Sequence, residues 1–339
     1  MQARDTARRR DRPWAAVVLA LALVGCSGAP GPAVTEGSAE TERSGSPPAV
    51  DPPDAGAATS VPADAGAATS EAPDAAELPR GGTELFPHYR LVGYVGYPGS
   101  AGMGRLGIGD LDERAAEIET ELGDYAGDRE IQPVLELVVS IAHPVPGTDG
   151  TYRTHAPEEM IQAHLDAARR HDALLLLNIQ AGAVDFLDEV RSFERWLEEP
   201  DVGVALDPEW AVEPGQVPGQ VYGRTTGAEL DEVAAYLSDL VDEHRLPEKV
   251  MVFHQVHSSV VRDEDDLGEH DGVAIIRSVD GIGHPLDKTY TYELVTESSP
   301  DFVHGGFKLF LEEDRVLGPL MTPEEVLALE PEVEYLMVE

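Results

Sequence analysis

The chain has 339 residues and a formal net charge of −40 at pH 7, and 6% of its residues are aromatic. A surface this acidic repels the phosphate backbone of nucleic acids, which argues against nucleic-acid binding, and it repels anionic lipid head groups as well. A single cysteine, Cys26, excludes an internal disulfide bond and a cysteine-rich zinc site.

The first 25 residues predict an export signal. A basic region formed by Arg8, Arg9, Arg10 and Arg12 precedes the apolar run "WAAVVLALALVG" (14–25), which is too short to span a membrane permanently. Cys26 follows in "LVGC", which resembles the bacterial lipobox, where the cysteine after the cleavage point receives lipid. We therefore expect a lipoprotein signal peptide at 1–25 and a lipid anchor on Cys26 at the extracytoplasmic face of the cell membrane. A chance cysteine after a secretory signal is the alternative.

Residues 26–80 predict a disordered linker. This segment is rich in Ala, Gly, Pro, Ser, Thr, Asp and Glu, and "DAGAATS" occurs twice, at 54–60 and at 64–70. It has too little apolar surface to compensate the entropy lost on ordering, so we expect a flexible tether between the membrane and a folded domain at 81–339.

Eight short apolar runs predict the strands of that domain. They alternate with segments whose apolar residues recur every three or four positions, at 112–122, 157–170, 185–197 and 229–244. Thr322 to Glu325 has the pattern of a capped helix start. Eight βα-like units in about 250 residues predict a (β/α)8 TIM barrel, with a doubly wound open sheet as the alternative. The predicted strands are 91–97, 133–142, 173–181, 202–207, 249–256, 273–279, 306–312 and 333–338.

No helical pattern follows the eighth predicted strand. Either a segment before the first strand closes the bottom of the barrel, or the number of units is wrong by one.

A glycine-rich segment, "GSAGMGRLGIG" (99–109), follows the first strand and contains G-x-G-x-x-G at Gly102, Gly104 and Gly107. In a dinucleotide-binding fold the first glycine follows the strand at once, and the second strand ends in an acidic residue. Neither condition is met here. We therefore expect a glycine-rich lid and no cofactor.

The stretch "VGVALDPEW" (202–210) carries the main candidate site. Asp207 and Glu209 are two positions apart, so on an extended backbone both side chains leave the same face. Functional residues of TIM barrels lie at the carboxyl ends of the strands, and two carboxyl groups crowded there raise the pKa of one of them. A protonated carboxylic acid is what cleavage of a glycosidic bond requires. The alternative is that Asp207 caps the next turn and that Glu209 is solvated.

This strand resembles strand four of the chitinase-type TIM-barrel glycosidases, which ends D-G-x-D-x-D-W-E; TIM-barrel lysozymes also carry an acidic D-x-E there. Gly203, Asp207 and Glu209 match the chitinase pattern, whereas Val202 and Ala205 replace its first two aspartates. The resemblance implies that Glu209 is the general acid and that Asp207 is its partner, which orients the acetamido group of the substrate.

Polar and aromatic residues at other strand ends are candidates for substrate contacts. His254 and His257 are three positions apart and would point to opposite faces of a strand, so we do not expect them to share a metal ion. We expect no metal site. The expected substrate-binding residues are Tyr97, Gln180, Trp210, His254, Gln255 and Asp280.

The whole chain also resembles uncharacterised actinobacterial surface lipoproteins, whose strand-end phrases are similar to "LDPEW", "HQ" and "EDR". We therefore expect a membrane-anchored, extracytoplasmic, glycoside-hydrolase-like barrel that acts on cell-envelope or environmental polysaccharide. A lipoprotein that binds a solute or the cell wall without turnover is the alternative.

Overall fold

The computed structural model describes residues 76–339. The predicted signal peptide, Cys26 and nearly all of the predicted linker lie outside the described residues. The backbone N–H of Ala76 donates to the carbonyl oxygen of Arg245 at 3.3 Å, and Leu78 is buried. Packed structure therefore begins a few residues before position 81.

Eight parallel strands form a closed barrel, which confirms the predicted TIM-barrel fold. The last strand returns to the first, so that Leu91 lies beside Tyr335 and no edge of the sheet is left open. The barrel strands are β1 (Tyr89–Gly96), β2 (Glu130–Ala142), β4 (Leu174–Ile179), β5 (Val202–Leu206), β7 (Lys249–Gln255), β9 (Val273–Val279), β10 (His304–Leu309) and β11 (Val333–Val338). Three short strands lie outside the barrel: β3 (Arg153–His155), antiparallel to β2, and the mutually paired β6 (Thr225–Thr226) and β8 (Val261–Arg262).

Helices and turns connect the strands, and capping side chains mark where several helices begin. Asp110 caps the first helix, and Thr226 and Thr322 form capping boxes with Glu229 and Glu325, as the sequence predicts for Thr322. Among the described residues, no helix has the length and apolar character needed to cross a membrane. The helices are α1 (Leu111–Leu122), α2 (Glu158–Arg170), α3 (Phe186–Arg191), α4 (Glu194–Leu197), α5 (Gly227–His244), α6 (Pro285–Thr296), α7 (Glu313–Leu317) and α8 (Pro323–Leu327).

The connections differ in detail from a regular βα repeat. The single helix predicted at 185–197 is divided into α3 and α4. Between β7 and β9 the structure describes every residue, and this connection contains only β8 and a 3₁₀ turn. Helix α6 has no counterpart among the predicted helices, because its apolar residues occur on more than one face: Tyr292 is buried whereas Leu286 and Tyr290 are exposed.

Two apolar layers hold the barrel, because successive residues of a strand point to opposite faces. In β2, Leu135 and Leu137 pack towards the helices, whereas Val134 and Val138 fill the interior. A polar residue at an interior position near the carboxyl end of a strand is therefore presented at the barrel mouth.

The segment before β1 closes the opposite end of the barrel. Leu78 and Leu85 pack in the interior cluster together with Tyr89. The backbone N–H of Leu85 donates to Glu248, just before β7, at 2.6 Å, and the Tyr89 hydroxyl donates to the Arg80 carbonyl at 2.8 Å. The first of the two sequence-based explanations for the missing eighth helix is thus confirmed, since the N-terminal segment covers the bottom of an eight-stranded barrel.

Candidate active site at the carboxyl ends of the strands

Polar side chains from seven consecutive barrel strands meet at the carboxyl end of the interior. Each of them occupies an interior position by the alternation just described, and each is at most 6% exposed. Such a concentration of buried ionisable groups is costly unless the groups are paired with one another. The seven residues, taken from β2, β4, the end of β5, β7, the end of β9, β10 and β11, are Glu136, Asn178, Asp207, His254, Asp280, Lys308 and Tyr335.

His254 is the central cation of this cluster. Its Nδ1 lies 3.0 Å from Oδ2 of Asp280, and its Nε2 lies 3.2 Å from Oε1 of Glu136, although the latter contact is not aligned for a hydrogen bond. Burial alone would lower the pKa of His254, but the carboxylates of Asp280 and Glu136 outweigh burial and raise it well above its ordinary value. The imidazole is therefore a cation at neutral pH.

Glu136 and Asp280 are held as carboxylates by this arrangement. Burial opposes their ionisation, but His254 and Lys308 outweigh burial and lower the pKa of both groups. Glu136 also accepts hydrogen bonds from the Tyr335 hydroxyl and, at 2.8 Å, from Asn178 Nδ2.

Lys308 continues the network to the rim of the barrel. Its Nζ lies 3.3 Å from Asp280 Oδ2 and 2.8 Å from Glu339 Oε2. Burial would lower its pKa, but the carboxylates of Glu339 and Asp280 raise it. Ser278 donates to Asp280 Oδ1 at 2.8 Å, so every oxygen of that carboxylate has a partner.

Asp207 has only neutral hydrogen-bond donors. Asn178 Nδ2 donates to its Oδ1 at 3.1 Å and Gln180 Nε2 to its Oδ2 at 3.4 Å, while the nearest cation, His254 Nε2, is 3.9 Å away. Burial raises the pKa of Asp207 to about 6, because His254 and Lys308 offset burial only in part and Glu136 adds repulsion. Asp207 makes no capping hydrogen bond to the turn that follows, so it is not a helix cap.

Glu209 is the least compensated carboxyl group of the site. It lies in the 3₁₀ turn Pro208–Trp210, and its backbone carbonyl accepts a hydrogen bond from Gly223 at 2.7 Å, which ties the 211–224 loop to the turn. Its Oε2 is buried and has no hydrogen-bond partner. Burial, followed by repulsion from Asp207 and Asp280, raises the pKa of Glu209 well above its ordinary value. Glu209 therefore holds its proton to a higher pH than an ordinary glutamate does.

The structure places the predicted substrate-binding residues in four different settings. His254 and Asp280 lie inside the network, and Gln180 touches Asp207, so these three are close to the carboxyl pair. Trp210 is partly exposed at the end of the turn that carries Glu209. Gln255 points away from the interior, as the neighbour of His254 on a strand must, and its Nε2 donates to the His257 carbonyl. Tyr97 follows β1 and packs against both apolar layers.

The glycine-rich segment after β1 is packed closely against that strand. A Cβ at Gly104 would lie 2.3 Å from the carbonyl oxygen of Val95, and one at Gly107 would lie 2.1 Å from that of Tyr97. Gly104 also has φ of +107°, which favours glycine. Close backbone approach therefore accounts for two of the three glycines of the motif.

Sequence reasoning missed four members of the site. Glu136 and Lys308 lie inside apolar runs, and inspection of the residues that follow each strand passes over them. The available signal was a charged residue at an interior position of a strand that is otherwise apolar. Tyr335 and Glu339 share that interior register in and after β11.

No metal-binding cluster of three or more His, Cys, Asp or Glu side chains occurs within residues 76–339. His257 is exposed, and its Nδ1 pairs with Ser259, so it lies outside the network that contains His254. The groups available for chemistry are the carboxyl pair of Asp207 and Glu209 and the charges beneath them.

No protein-family model matches the chain, and a search of curated proteins also gives no match. The chemistry of the site is therefore argued from its geometry.

Replacement of Glu209 by glutamine should stabilise the protein at neutral pH and leave it unchanged near pH 4. Above its ordinary pKa of 4.5 the unfolded chain ionises Glu209, whereas the folded protein keeps the proton. Stability is therefore lost as pH rises, by up to about 1.4 kcal/mol per pH unit until the folded pKa is reached. Glutamine does not titrate, so urea unfolding at pH 4 and pH 7 should show a gain for Glu209→Gln at pH 7 alone.

The exposed Glu213 supplies the control, since Glu213→Gln should show no such gain with pH. A Glu209→Gln variant whose stability relative to the wild type is the same at both pH values would contradict an uncompensated carboxyl group at this position.

Proposed function

We propose that the barrel mouth is an acid–base site of the glycoside-hydrolase type, which acts on cell-envelope or environmental polysaccharide. The observation that carries the proposal is the Glu209 carboxyl group, which among residues 76–339 has a buried oxygen without a hydrogen-bond partner and lies two residues from Asp207, and whose pKa burial raises well above its ordinary value. A proton donor of this kind is what a glycosidic oxygen needs when its bond to the sugar carbon breaks.

In the proposed reaction Glu209 transfers its proton to the departing glycosidic oxygen. The Glu209 carboxylate that results faces Asp207 and Asp280, whose charges favour its reprotonation. The water oxygen bonds to the sugar carbon that has lost the departing oxygen, and the proton of the water passes to Glu209, which returns to its resting state. Asp207, held by Asn178 and Gln180, is fixed to orient the sugar beside this acid.

The charged groups beneath Asp207 and Glu209 supply an electrostatic field that suits this reaction. Positive charge develops on the sugar ring during glycosidic cleavage, because the transition state resembles an oxocarbenium ion. Glu136 and Asp280 stay ionised, and they are fixed by His254, Lys308 and Tyr335 before substrate arrives. Fixed negative groups of this kind stabilise developing positive charge without reorganisation.

A second candidate is a lipoprotein that binds its ligand without turnover. One observation favours it: Ala205, which replaces an aspartate of the chitinase pattern, is fully buried in the interior next to Asp207 along the strand. The carboxyl group that would share a proton with Asp207 in that pattern is therefore missing from this position.

Hydrolysis should depend on Glu209. We expect the purified full-length protein to release reducing ends from at least one member of a panel of peptidoglycan, chitin oligomers and other microbial and plant glycans. Glu209→Gln should lower the rate by about 10²- to 10⁴-fold, since it removes the general acid, whereas Glu213→Gln should retain it. The rate should fall as pH drops through about 6, where Asp207 takes up a proton, and again as pH rises through the higher pKa of Glu209.

Product from Glu209→Gln at the wild-type rate would refute the assignment of the acid. Ligand binding without product, unchanged by Glu209→Gln, would favour the non-catalytic alternative.

The proposal includes a lipid anchor on Cys26, for which the "LVGC" sequence is the support. In a bacterial host that processes lipoproteins, the wild type should fractionate with membranes and incorporate labelled fatty acid. Cys26→Ser should lose the label and leave the membrane fraction. A wild-type protein that carries no label would contradict the anchor.

A further inference from the structure

The barrel mouth contains more carboxyl groups than cations. Five acidic side chains meet there, whereas among residues 76–339 only His254 and Lys308 face them with positive charge. The next lysine, Lys288, is paired with Asp314 at 2.9 Å and donates to two backbone carbonyls. The five acidic residues are Glu136, Asp207, Glu209, Asp280 and Glu339.

The carboxyl groups that lack a cationic partner lie on one side of the cluster. Glu136 and Asp280 contact His254, and Glu339 contacts Lys308. Within the part of the chain that the structure describes, Asp207 has only amide donors in hydrogen-bond range and Glu209 Oε2 has no donor. The uncompensated side is therefore the outer side, which carries the proposed catalytic pair.

A second and independent feature lies in the same place. Asn178 is 1% exposed and gives its Nδ2 to Glu136 and Asp207, but its Oδ1 is buried without any donor. A buried amide oxygen without a partner is costly and is ordinarily satisfied by a donor from water or a ligand. A ligand group that donates hydrogen bonds and carries positive charge would satisfy Asn178 Oδ1 and Asp207 together.

We propose that the site takes a substrate with a protonated primary amine, which sits on the Asp207 carboxylate and donates to Asn178 Oδ1. This inference rests on the proposed function and deepens it: for a glycan, the substrate is an amino sugar whose amine is free and not acetylated. An ammonium group has three donors and no acceptor, which suits a carboxylate beside an amide oxygen.

The amine would replace the proton that Asp207 holds at low pH, while Glu209 keeps its own proton for catalysis. An anionic sugar would instead be repelled by the Asp207 carboxylate, and a neutral sugar would leave the excess negative charge in place. Binding of the amine should therefore weaken as pH falls through about 6, where Asp207 becomes protonated.

The titratable and charged groups that face Asp207 and Glu209 are Glu136 from β2, His254 from β7, Asp280 from the end of β9, Lys308 from β10, Tyr335 from β11 and Tyr222 from the 211–224 loop.

Titration calorimetry on the full-length protein tests this without any need for turnover. The probes are short glucosamine oligomers, the same oligomers fully N-acetylated, a linear diamine without sugar, and calcium chloride. At pH 6.5 the glucosamine oligomers should bind at least about tenfold more tightly than the N-acetylated ones, as a charge-assisted hydrogen bond permits. The preference should shrink at pH 5, and the heat measured at pH 6 should differ between buffers because Asp207 releases its proton.

Matched variants test whether the preference for the free amine depends on Asp207. Asp207→Asn should abolish the preference for the free amine, whereas Glu209→Gln and the exposed control Glu213→Gln should retain it. Circular dichroism would verify that each variant is folded. Retention of binding in a Glu209→Gln variant that releases no product would separate this inference from the proposed hydrolysis.

Each remaining outcome is decisive. Equal or tighter binding of the N-acetylated oligomers, absence of binding by every amine, or displacement of the amine by calcium would overturn the proposal. A diamine that binds as tightly as the glucosamine oligomers, with the same dependence on Asp207, would support the amine site and weaken the glycosidase proposal.

Discussion

The contact of His254 with Asp280 and Glu136 is the interaction on which the interior of this barrel depends. It buries two carboxylates and a cation at the carboxyl end of the strands, where unpaired charges would cost several kcal/mol each. With His254 protonated, Glu136 and Asp280 remain ionised, and Lys308 extends the pairing to Glu339. This pairing does not include Asp207 and Glu209. Their pKa values are raised because these two buried carboxyl groups have no cationic partner of their own.

The two ends of the barrel interior differ: the amino ends of the strands are covered by apolar side chains, and the carboxyl ends carry the polar ones. Leu78 and Leu85 close the amino end of the strands with apolar side chains, which is a stable arrangement that demands no charge. The carboxyl end collects polar side chains from seven strands, and the turn at Pro208 brings Glu209 over them. An uncompensated acid at that end lowers stability, and a destabilising group of this kind is a pattern expected of functional sites.

Periodicity in the sequence was sufficient for the barrel, since eight apolar runs separated by helical patterns predict a closed eight-stranded barrel. The period of two along a strand also places Asp207 at an interior position. Glu209, however, lies in the 3₁₀ turn Pro208–Trp210 and not on an extended backbone, so its position does not follow from that period. The same period, applied to His254 and Gln255, would have shown that only one of these neighbours faces the interior. Glu136 and Lys308 were missed because their pairing partners lie on other strands, distant in the chain, and cannot be identified from a local pattern.

Details of the connections depended on tertiary packing. Helix α6 was not predicted because Leu286 and Tyr290 remain exposed while Tyr292 packs inside, so no single apolar face is visible in its sequence. The pKa values of Asp207 and Glu209 likewise depend on distances to His254 and Asp280, which are fixed only when β5, β7 and β9 are assembled.

The protonation state of Glu209 tests the central claim most directly. Carbon-13 NMR of the full-length protein, with labelled glutamate carboxyl groups and with Glu209→Gln for assignment, would follow that one group from pH 4 to pH 9. The arrangement described above predicts a carboxyl signal that stays protonated at pH 7 and is absent from Glu209→Gln. Titration of Glu209 near its ordinary value of 4.5 would show that its charge is compensated, and would contradict both the raised pKa and the role of Glu209 as a general acid.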